Sequence, residues 1–312
     1  MMSMSDEVDV TVVCPVYNGV DTLSSFISQL VAVLARTTQA YEIILVDDGC
    51  PYDSWQVIQS QCTFNASIKG IRLSRNFGQQ IAVSAGLSFA SGRYIVVMDA
   101  DLQNPPNTIP DLLVHLRNGV DIVYTVSKVR NNWIDGFTSI IFWFVINKVF
   151  STNMIPNQLM MKGFNRKFLS AFKSYNERIR TVAGITHDIG MRSIVIPVAN
   201  QRRVSGKGNY GFFKRVNLMI DIVLAVTSRP LDVLIHIGLL SFIASIFMIF
   251  WTVAAYLLNP GMPSGYTTLV TLITFFGSMN LLVLGIVGRY LSSIYMEVRN
   301  RPMFIVQDKI NI

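Results

Sequence analysis

In the stretch RYIVVMDADLQNPP, residues 93–106, an apolar run leads straight into Asp99 and Asp101, and two prolines then stop the chain. Side chains at i and i+2 of a strand share a face, so the two carboxylates would point the same way unless the chain turns after Met98. Held that close they repel, unless something cationic sits beside them. A hard divalent ion, Mg2+ or Mn2+, answers that need, because it takes one or two carboxylates and completes its shell with water and substrate phosphates. An Asx turn with no metal uses the same residue types, and a D-x-D triplet alone does not separate the two readings.

The elements that would position this pair repeat one theme over the first 126 residues: an apolar, β-branched run, a polar cluster, then a helical pattern. VDVTVVCP precedes a helix over about 22–35, YEIILVDDG one from about residue 54, IKGIRLSRNFG one over 79–90, and RYIVVMDADLQ one over 108–117; VDIVYTV is a fifth strand. Strands alternating with helices predict a mostly parallel α/β sheet with right-handed crossovers. Ligands of such sheets bind outside the carboxyl ends of the strands. Four polar clusters stand at those ends: Pro15 to Asn18, Asp47 with Asp48, Ser74 to Asn76, and Asp99 to Asp101. Any one of them could be a turn. Four on one edge predict a binding site for a phosphorylated ligand, a nucleotide above all.

The chain has 312 residues, 51% hydrophobic and only 14% charged, and its mean hydropathy is +0.42. Residues 233–258 and 266–288 are each longer than the roughly 20 residues that cross a hydrocarbon core. The short uncharged link NPGMPSG between them predicts a helical hairpin. Its flanks are basic and its loop is not, so both termini are expected on the cytoplasmic side. The stretches 133–150 and 218–226 are candidates for helices lying in the membrane interface, with buried core helices the alternative. Three cysteines without metal-ligand spacing fit reduced thiols. The net charge of +7 gathers near the spans, which favours a lipid surface over nucleic acid.

GKGNYG, residues 206–211, matches G-x-G-x-x-G, but no strand runs directly into it and Asp221 comes too soon to bind a ribose, which argues against a dinucleotide site. It reads instead as part of a mobile basic loop whose Arg202, Arg203 and Lys207 can meet phosphate, with a solvated basic loop near anionic lipid the alternative.

Together VVCPVYN, EIILVDDG, LSRNFGQQIAVSAGL, VVMDADLQNPP and GRYLSSIYMEVRNRPMFIV closely resemble the membrane-anchored family-2 glycosyltransferases of GT-A fold, specifically the polyprenyl-phosphate glycosyltransferases. The resemblance spans nearly the whole chain. It implies inverting transfer of a sugar from a nucleotide diphosphate to a polyprenyl phosphate such as undecaprenyl phosphate, at the cytoplasmic face of a bacterial inner membrane. It implies that Pro15, Tyr17 and Asn18 line the nucleotide pocket with Arg75, and that Asp47 or Asp48 contacts the base or ribose. Asp99 would sit by the ribose and metal, Asp101 would ligate the ion, and Gln103 would position the sugar or its phosphates. A UDP-sugar is expected ahead of a GDP-sugar, and a homo-oligomer is compatible with the family. The implied organisation is a nucleotide-sugar core over 1–130, an acceptor-side region over 131–229, the hairpin over 230–292 and a cytoplasmic tail over 293–312.

The chain departs from the family at Gly19, Cys50 and Ser127, and above all in MIPNQLMMKGFNRK, where Asn157 and Met160 replace two aspartates, one a proposed base. A sugar hydroxyl acceptor needs a base worth about 10²–10⁴-fold. A phosphate monoester, with a second pKa of about 6, does not. His187 and Asp188 are the candidate replacements, with a structural role for His187 the alternative. Three other functions remain open at this stage: transfer to a lipid-linked sugar hydroxyl, a silent nucleotide-sugar-binding membrane subunit, and a small transporter.

Overall fold

The computed structural model describes residues 8–18, 20–101, 104–127, 155, 158–175, 185, 189–198, isolated positions between 240 and 254, 265–299 and 301–312. By internal contacts the chain divides into two units. The first comprises Met1–Trp143, Asn153–Tyr210 and Arg301–Ile312, and the second Phe144–Thr152 and Gly211–Asn300.

In the first unit, strands β1 (Val10–Val16), β2 (Tyr41–Asp47), β3 (Ile68–Leu73) and β4 (Tyr94–Val97) alternate with helices α1 (Val20–Thr37), α2 (Ser54–Phe64), α3 (Gln79–Phe89) and, after a 3-10 turn at Pro106–Thr108, α4 (Ile109–Arg117). Then come β5 (Ile122–Ser127), β6 (Gln158–Asn165), α5 (Arg166–Ser174), β7 (Ser193–Val198) and, near the C-terminus, β8 (Val306–Ile310). The strands form one sheet in the order β7-β5-β6-β4-β1-β2-β3-β8. β4, β1, β2 and β3 run parallel, so their carboxyl ends share one edge. β6 is antiparallel to both its neighbours, β4 and β5, and β8 is antiparallel to β3. β1 is buried along its whole length, as a parallel strand covered on both faces requires; its near-continuous apolar composition follows from that.

Each face of the sheet has its own core. Leu23, Phe26, Ile27 and Leu30 of α1, Trp55 and Ile58 of α2, and Leu112, Leu113 and Leu116 of α4 cover one face. Ala82, Val83, Ala85 and Leu87 of α3, with Phe168, Leu169 and Phe172 of α5, cover the other. Gly86 lets α3 lie close to the sheet centre, since a Cβ there would stand 2.3 Å from Val13 Cγ1. α5 begins at Asn165, whose side chain accepts the Phe168 N–H at 2.9 Å, a standard helix N-cap.

The four alternating units follow the sequence expectation closely. β6 and β8 do not. VDIVYTV forms β5, the fifth strand in chain order, and in the sheet β6 lies between it and β4. A further difference concerns Asp99 and Asp101: β4 ends at Val97, Asp99 lies past its end, and Asp101 lies in the bend that begins at Ala100. The pleat of a strand therefore does not set the relative direction of the two side chains.

In the second unit, α6 (Tyr266–Val298) is 33 residues long, roughly 50 Å at 1.5 Å per residue. Leu269, Ile273, Leu284, Leu291 and Ile294 along it are exposed, as are Leu240, Ile243, Phe247, Phe250 and Trp251 further upstream. Several side chains of α6 lie outside the described residues, and among the described residues no helix is long and apolar enough to cross a membrane. The candidate interfacial helices over 133–150 and 218–226 lie outside the described residues.

Candidate active site at the carboxyl edge of the sheet

Met98 continues β4 for one residue by donating its N–H to Val13 O at 3.1 Å and is fully buried. Asp99, Ala100 and Asp101 emerge from there half-buried. The Gln79 side chain at the start of α3 donates to Asp99 Oδ1 at 2.5 Å, which fixes one carboxylate oxygen. Below it, burial pushes the Cys14 thiol up, and the charge of Asp99 adds to the shift; Cys14 is therefore a packing residue, not a nucleophile. Asn104 is 3% exposed, and its Oδ1 has no hydrogen-bond partner. Among the described residues no three His, Cys, Asp or Glu side chains gather as a metal cage.

Asp47 and Asp48 hold the loops of the neighbouring strands. Asp48 Oδ1 accepts the Phe77 N–H at 2.8 Å and Oδ2 the Gly78 N–H at 2.9 Å, so the β2 end clamps the loop after β3. Gly49 sits tight against that loop: its φ is +60°, and a Cβ would stand 2.2 Å from the backbone carbon of Arg75. Asp47 Oδ1 accepts from the Cys50 N–H and the Ser54 hydroxyl, each at 3.1 Å. Its Oδ2 faces Arg72 Nε at 3.6 Å, but neither atom has a hydrogen-bond partner, so this contact is Coulombic only. Burial raises both carboxyls above the usual range, against the pull of their amide donors and nearby arginines. Neither side chain is exposed by more than 2%.

Around them, Pro15 is buried in register with Val46. Tyr17 is 47% exposed and offers a free aromatic surface at the edge. Asn18 has a left-handed φ of 55°, which asparagine tolerates. Its N–H points at Cys50 Sγ at 3.5 Å, and the Cys50 thiol lies 3.9 Å from its Oδ1. Cys50, which looked like a departure from the family pattern, thus ties the β1 and β2 loops together. The Arg75 guanidinium lies 4.1 Å from the centre of the Phe77 ring and donates to Asn76 O at 3.1 Å. The edge therefore carries Pro15, Tyr17, Asn18, Asp47, Asp48, Arg75, Asp99 and Asp101. Gln103, His187, Asp188, Arg202, Arg203 and Lys207 lie outside the described residues.

β6 adds groups that spacing alone does not single out. Met160 Sδ is 3.7 Å from the Gln80 amide nitrogen. Lys162, opposite Val97 of β4, is 5% exposed, and its ammonium is 5.9 Å from the centre of the Tyr124 ring. Burial pushes its pKa down to about 8. The one sequence signal for it is a lysine inside the otherwise apolar run LMMKGF.

Residues 11–172 match Glycosyl transferase family 2. The chain is 33% identical over 307 residues to an uncharacterised glycosyltransferase of Synechocystis sp., covering 96% of this chain and 95% of that one. It is 31% identical over 311 residues to the undecaprenyl-phosphate 4-deoxy-4-formamido-L-arabinose transferase of Aeromonas hydrophila, covering 98% and 95%. Among solved structures, a mannosyltransferase from Pyrobaculum calidifontis in complex with GDP-Man and Mn2+ superposes with a TM-score of 0.51 at 15% identity, over 91% of this chain and 87% of that one. Glucosyl-3-phosphoglycerate synthase from Mycobacterium tuberculosis, with Mn2+, UDP and phosphoglyceric acid, gives 0.52 at 16% identity, over 71% and 78%. These two likenesses establish the α/β fold with its mixed, mostly parallel sheet as the GT-A type. The chain belongs to glycosyl transferase family 2, as a glycosyltransferase of GT-A fold whose full-length relatives include undecaprenyl-phosphate sugar transferases.

Proposed function

We propose that the protein transfers a sugar, with inversion, from a nucleotide diphosphate sugar to a polyprenyl phosphate of the undecaprenyl class, for modification of cell-surface glycan or lipopolysaccharide. The observation that carries this reading is that the loops after β1, β2 and β3 are tied to one another at the sheet edge where Asp99 and Asp101 follow β4, with Gln79 reaching Asp99. The curated relatives act on undecaprenyl phosphate by name, and the solved neighbours hold GDP-Man or UDP with Mn2+.

The donor set fits a divalent ion. Asp99 and Asp101 are two half-buried carboxylates with no third acidic, His or Cys ligand among the described residues, which suits an ion that draws its other ligands from water and phosphate. Asp101, with Asp99, would hold Mg2+ or Mn2+, which as a Lewis acid supplies charge stabilisation to a leaving diphosphate. The protein's own work is positional. Gln79 fixes Asp99. Asp48 and Gly49 hold the Arg75–Gly78 loop in place, and Tyr17 and Arg75 offer an aromatic face and a cation to the nucleotide. The base edge is read in the same region, with UDP preferred to GDP. Gln103, Arg202, Arg203 and Lys207 complete the contacts to sugar and phosphates.

Position 160 favours a phosphate acceptor over a hydroxyl. Met160 stands beside Gln80, whose chain neighbour Gln79 holds Asp99, and cannot take a proton. A phosphate monoester is already largely ionised at pH 7 and attacks without a base, so His187 and Asp188 would serve in positioning. The exposed apolar side chains of α6 and of residues 240–251 support a hairpin over 233–258 and 266–288 in the bacterial cytoplasmic membrane. The catalytic domain and both termini then lie on the cytoplasmic side, and assembly into a homo-oligomer is compatible with this arrangement.

The test is direct. Purified full-length protein in detergent is given Mg2+ or Mn2+, undecaprenyl phosphate and a panel of UDP- and GDP-sugars, and chloroform-extractable sugar is scored. Metal-dependent lipid product, absent in Asp101→Ala, is expected. Nucleotide-sugar binding without lipid product across the panel would overturn the reading.

A further inference from the structure

Lys162 is a buried ammonium in an apolar setting. Its strand neighbours on the same face, Gln158, Met160 and Phe164, carry no charge. Neither do the residues facing it in register, Val97 on β4 and Tyr124 on β5. Among the described residues it forms no ion pair and no hydrogen bond, and its recorded contact is the face of the Tyr124 ring at 5.9 Å. A buried, unpaired cation is costly to fold around. An apolar residue of the same length would fill the position at no such cost, so the charge calls for an anion that the described residues do not supply.

The sheet shows where such an anion would sit. β6 runs antiparallel to β4, with Val97 opposite Lys162, so Met160 lies two positions closer to the carboxyl edge and level with Asp99. Gln80 touches Met160, and its neighbour Gln79 holds Asp99. Two strand residues span about 6–7 Å, which the flexible four-carbon stem of a lysine can cover. Lys162 lies on the β5–β6 side of β4, whereas the loops proposed to hold the nucleotide follow β1, β2 and β3 on its other side. The anion it faces is therefore one that approaches Asp99 from the side away from the nucleotide.

We propose that Lys162 is the cationic seat for the phosphate of the acceptor, a phosphomonoester that its ammonium neutralises and orients toward the sugar. The inference rests on the transfer reaction proposed above and names a residue for its second substrate. With a pKa lowered by burial to about 8, the side chain is still mostly charged at neutral pH, and a bound dianion favours that charged form.

The experiment compares full-length wild type, Lys162→Met and Lys162→Arg in detergent with Mg2+. Farnesyl phosphate binding is measured by calorimetry, nucleotide-sugar binding separately, and the melting temperature alongside. Loss of one charge-assisted contact predicts about ten- to a hundred-fold weaker farnesyl phosphate binding in Lys162→Met. Nucleotide affinity should be unchanged, the melting temperature equal or higher, and Lys162→Arg should recover most of the affinity. Unchanged farnesyl phosphate binding in Lys162→Met overturns the proposal. So does a loss confined to the nucleotide, which would assign the charge to the donor's diphosphate, and so does a fall in melting temperature with both ligands lost. A wild type that binds no farnesyl phosphate overturns it as well. Because binding is read without turnover, a wild type that binds the prenyl phosphate through Lys162 yet transfers no sugar would sink the proposed reaction and leave this site standing.

Discussion

At the scale of single residues, the acidic side chains of the edge divide into holders and candidate ligands. Asp48 gives each oxygen to a backbone N–H, of Phe77 and of Gly78. Asparagine offers one oxygen and one N–H₂, so Asp48→Asn would set a donor against a donor. We expect a loss of about 2 kcal/mol in stability and a larger relative loss in nucleotide affinity, read by denaturant titration and by calorimetry with a nucleotide sugar. A variant with full nucleotide affinity would show that the loop holds its shape without the clamp. Gly49→Ala tests the same place through the backbone. The left-handed φ costs about 1–2 kcal/mol with a Cβ present, and the 2.2 Å approach to Arg75 forces the loop to move as well. Thermal melting should register the change. An alanine variant as stable as wild type would mean that the two loops separate freely.

At the scale of elements, what could be read from the chain depended on how each strand is buried. β1 to β4 are continuous apolar runs followed by helices, so their parallel direction and the polar clusters at their ends were legible. β6 was not. It is antiparallel, it inserts between β4 and β5, and no local pattern states which neighbours a strand will take. In its sequence, LMMKGF, a single lysine inside an apolar run does not state what it will face, so Lys162 carries no legible role. β8 was hidden for a different reason: VQDKI alternates polar and apolar weakly, and as an edge strand it is largely exposed. Yet β8 completes the β3 edge. Ser74 N–H reaches Ile305 O at 3.0 Å, Asn311 donates to Cys62 O and Ile68 O at 2.9 and 2.8 Å, and Phe304 and Val306 pack on the same core as Phe77. The segment after α6 thus braces the loop that Asp48 clamps. Removing residues 304–312 should expose β3 as an open edge, which invites association, and should weaken nucleotide binding even though no tail residue belongs to the proposed site. Size-exclusion chromatography and nucleotide calorimetry read the two effects. A truncated chain that stays monodisperse with wild-type affinity would reduce the tail to a passive cover.

At the scale of the whole molecule, the two edges of the sheet are organised oppositely. At the carboxyl edge, Asp47 and Asp48 are held above the usual carboxyl range by burial, so their ionisation detracts from stability and is tolerated because they shape the loops. At the other edge, Glu42 is 1% exposed and joins four segments: it accepts from Thr11 and Lys69 at 2.5 Å each and from the Ser91 N–H and hydroxyl at 2.7 and 2.8 Å. Burial alone would raise its pKa, but these donors outweigh burial and lower it from the ordinary 4.5. A carboxyl depressed in the folded state adds stability that is present above its unfolded pKa and lost as pH falls through the folded value. Glu42→Gln should therefore cost about 2–3 kcal/mol near neutral pH, within the range for breaking a buried, hydrogen-bonded charge. The gap between the two proteins should narrow as pH drops below 4.5, where wild type loses the same charge. Asp47 and Asp48 titrate in the opposite sense in both proteins and cancel from the difference. Denaturant titrations of wild type and Glu42→Gln across the acid range provide the measurement, and a gap that stays constant with pH would show that the Glu42 charge contributes nothing to joining the strands.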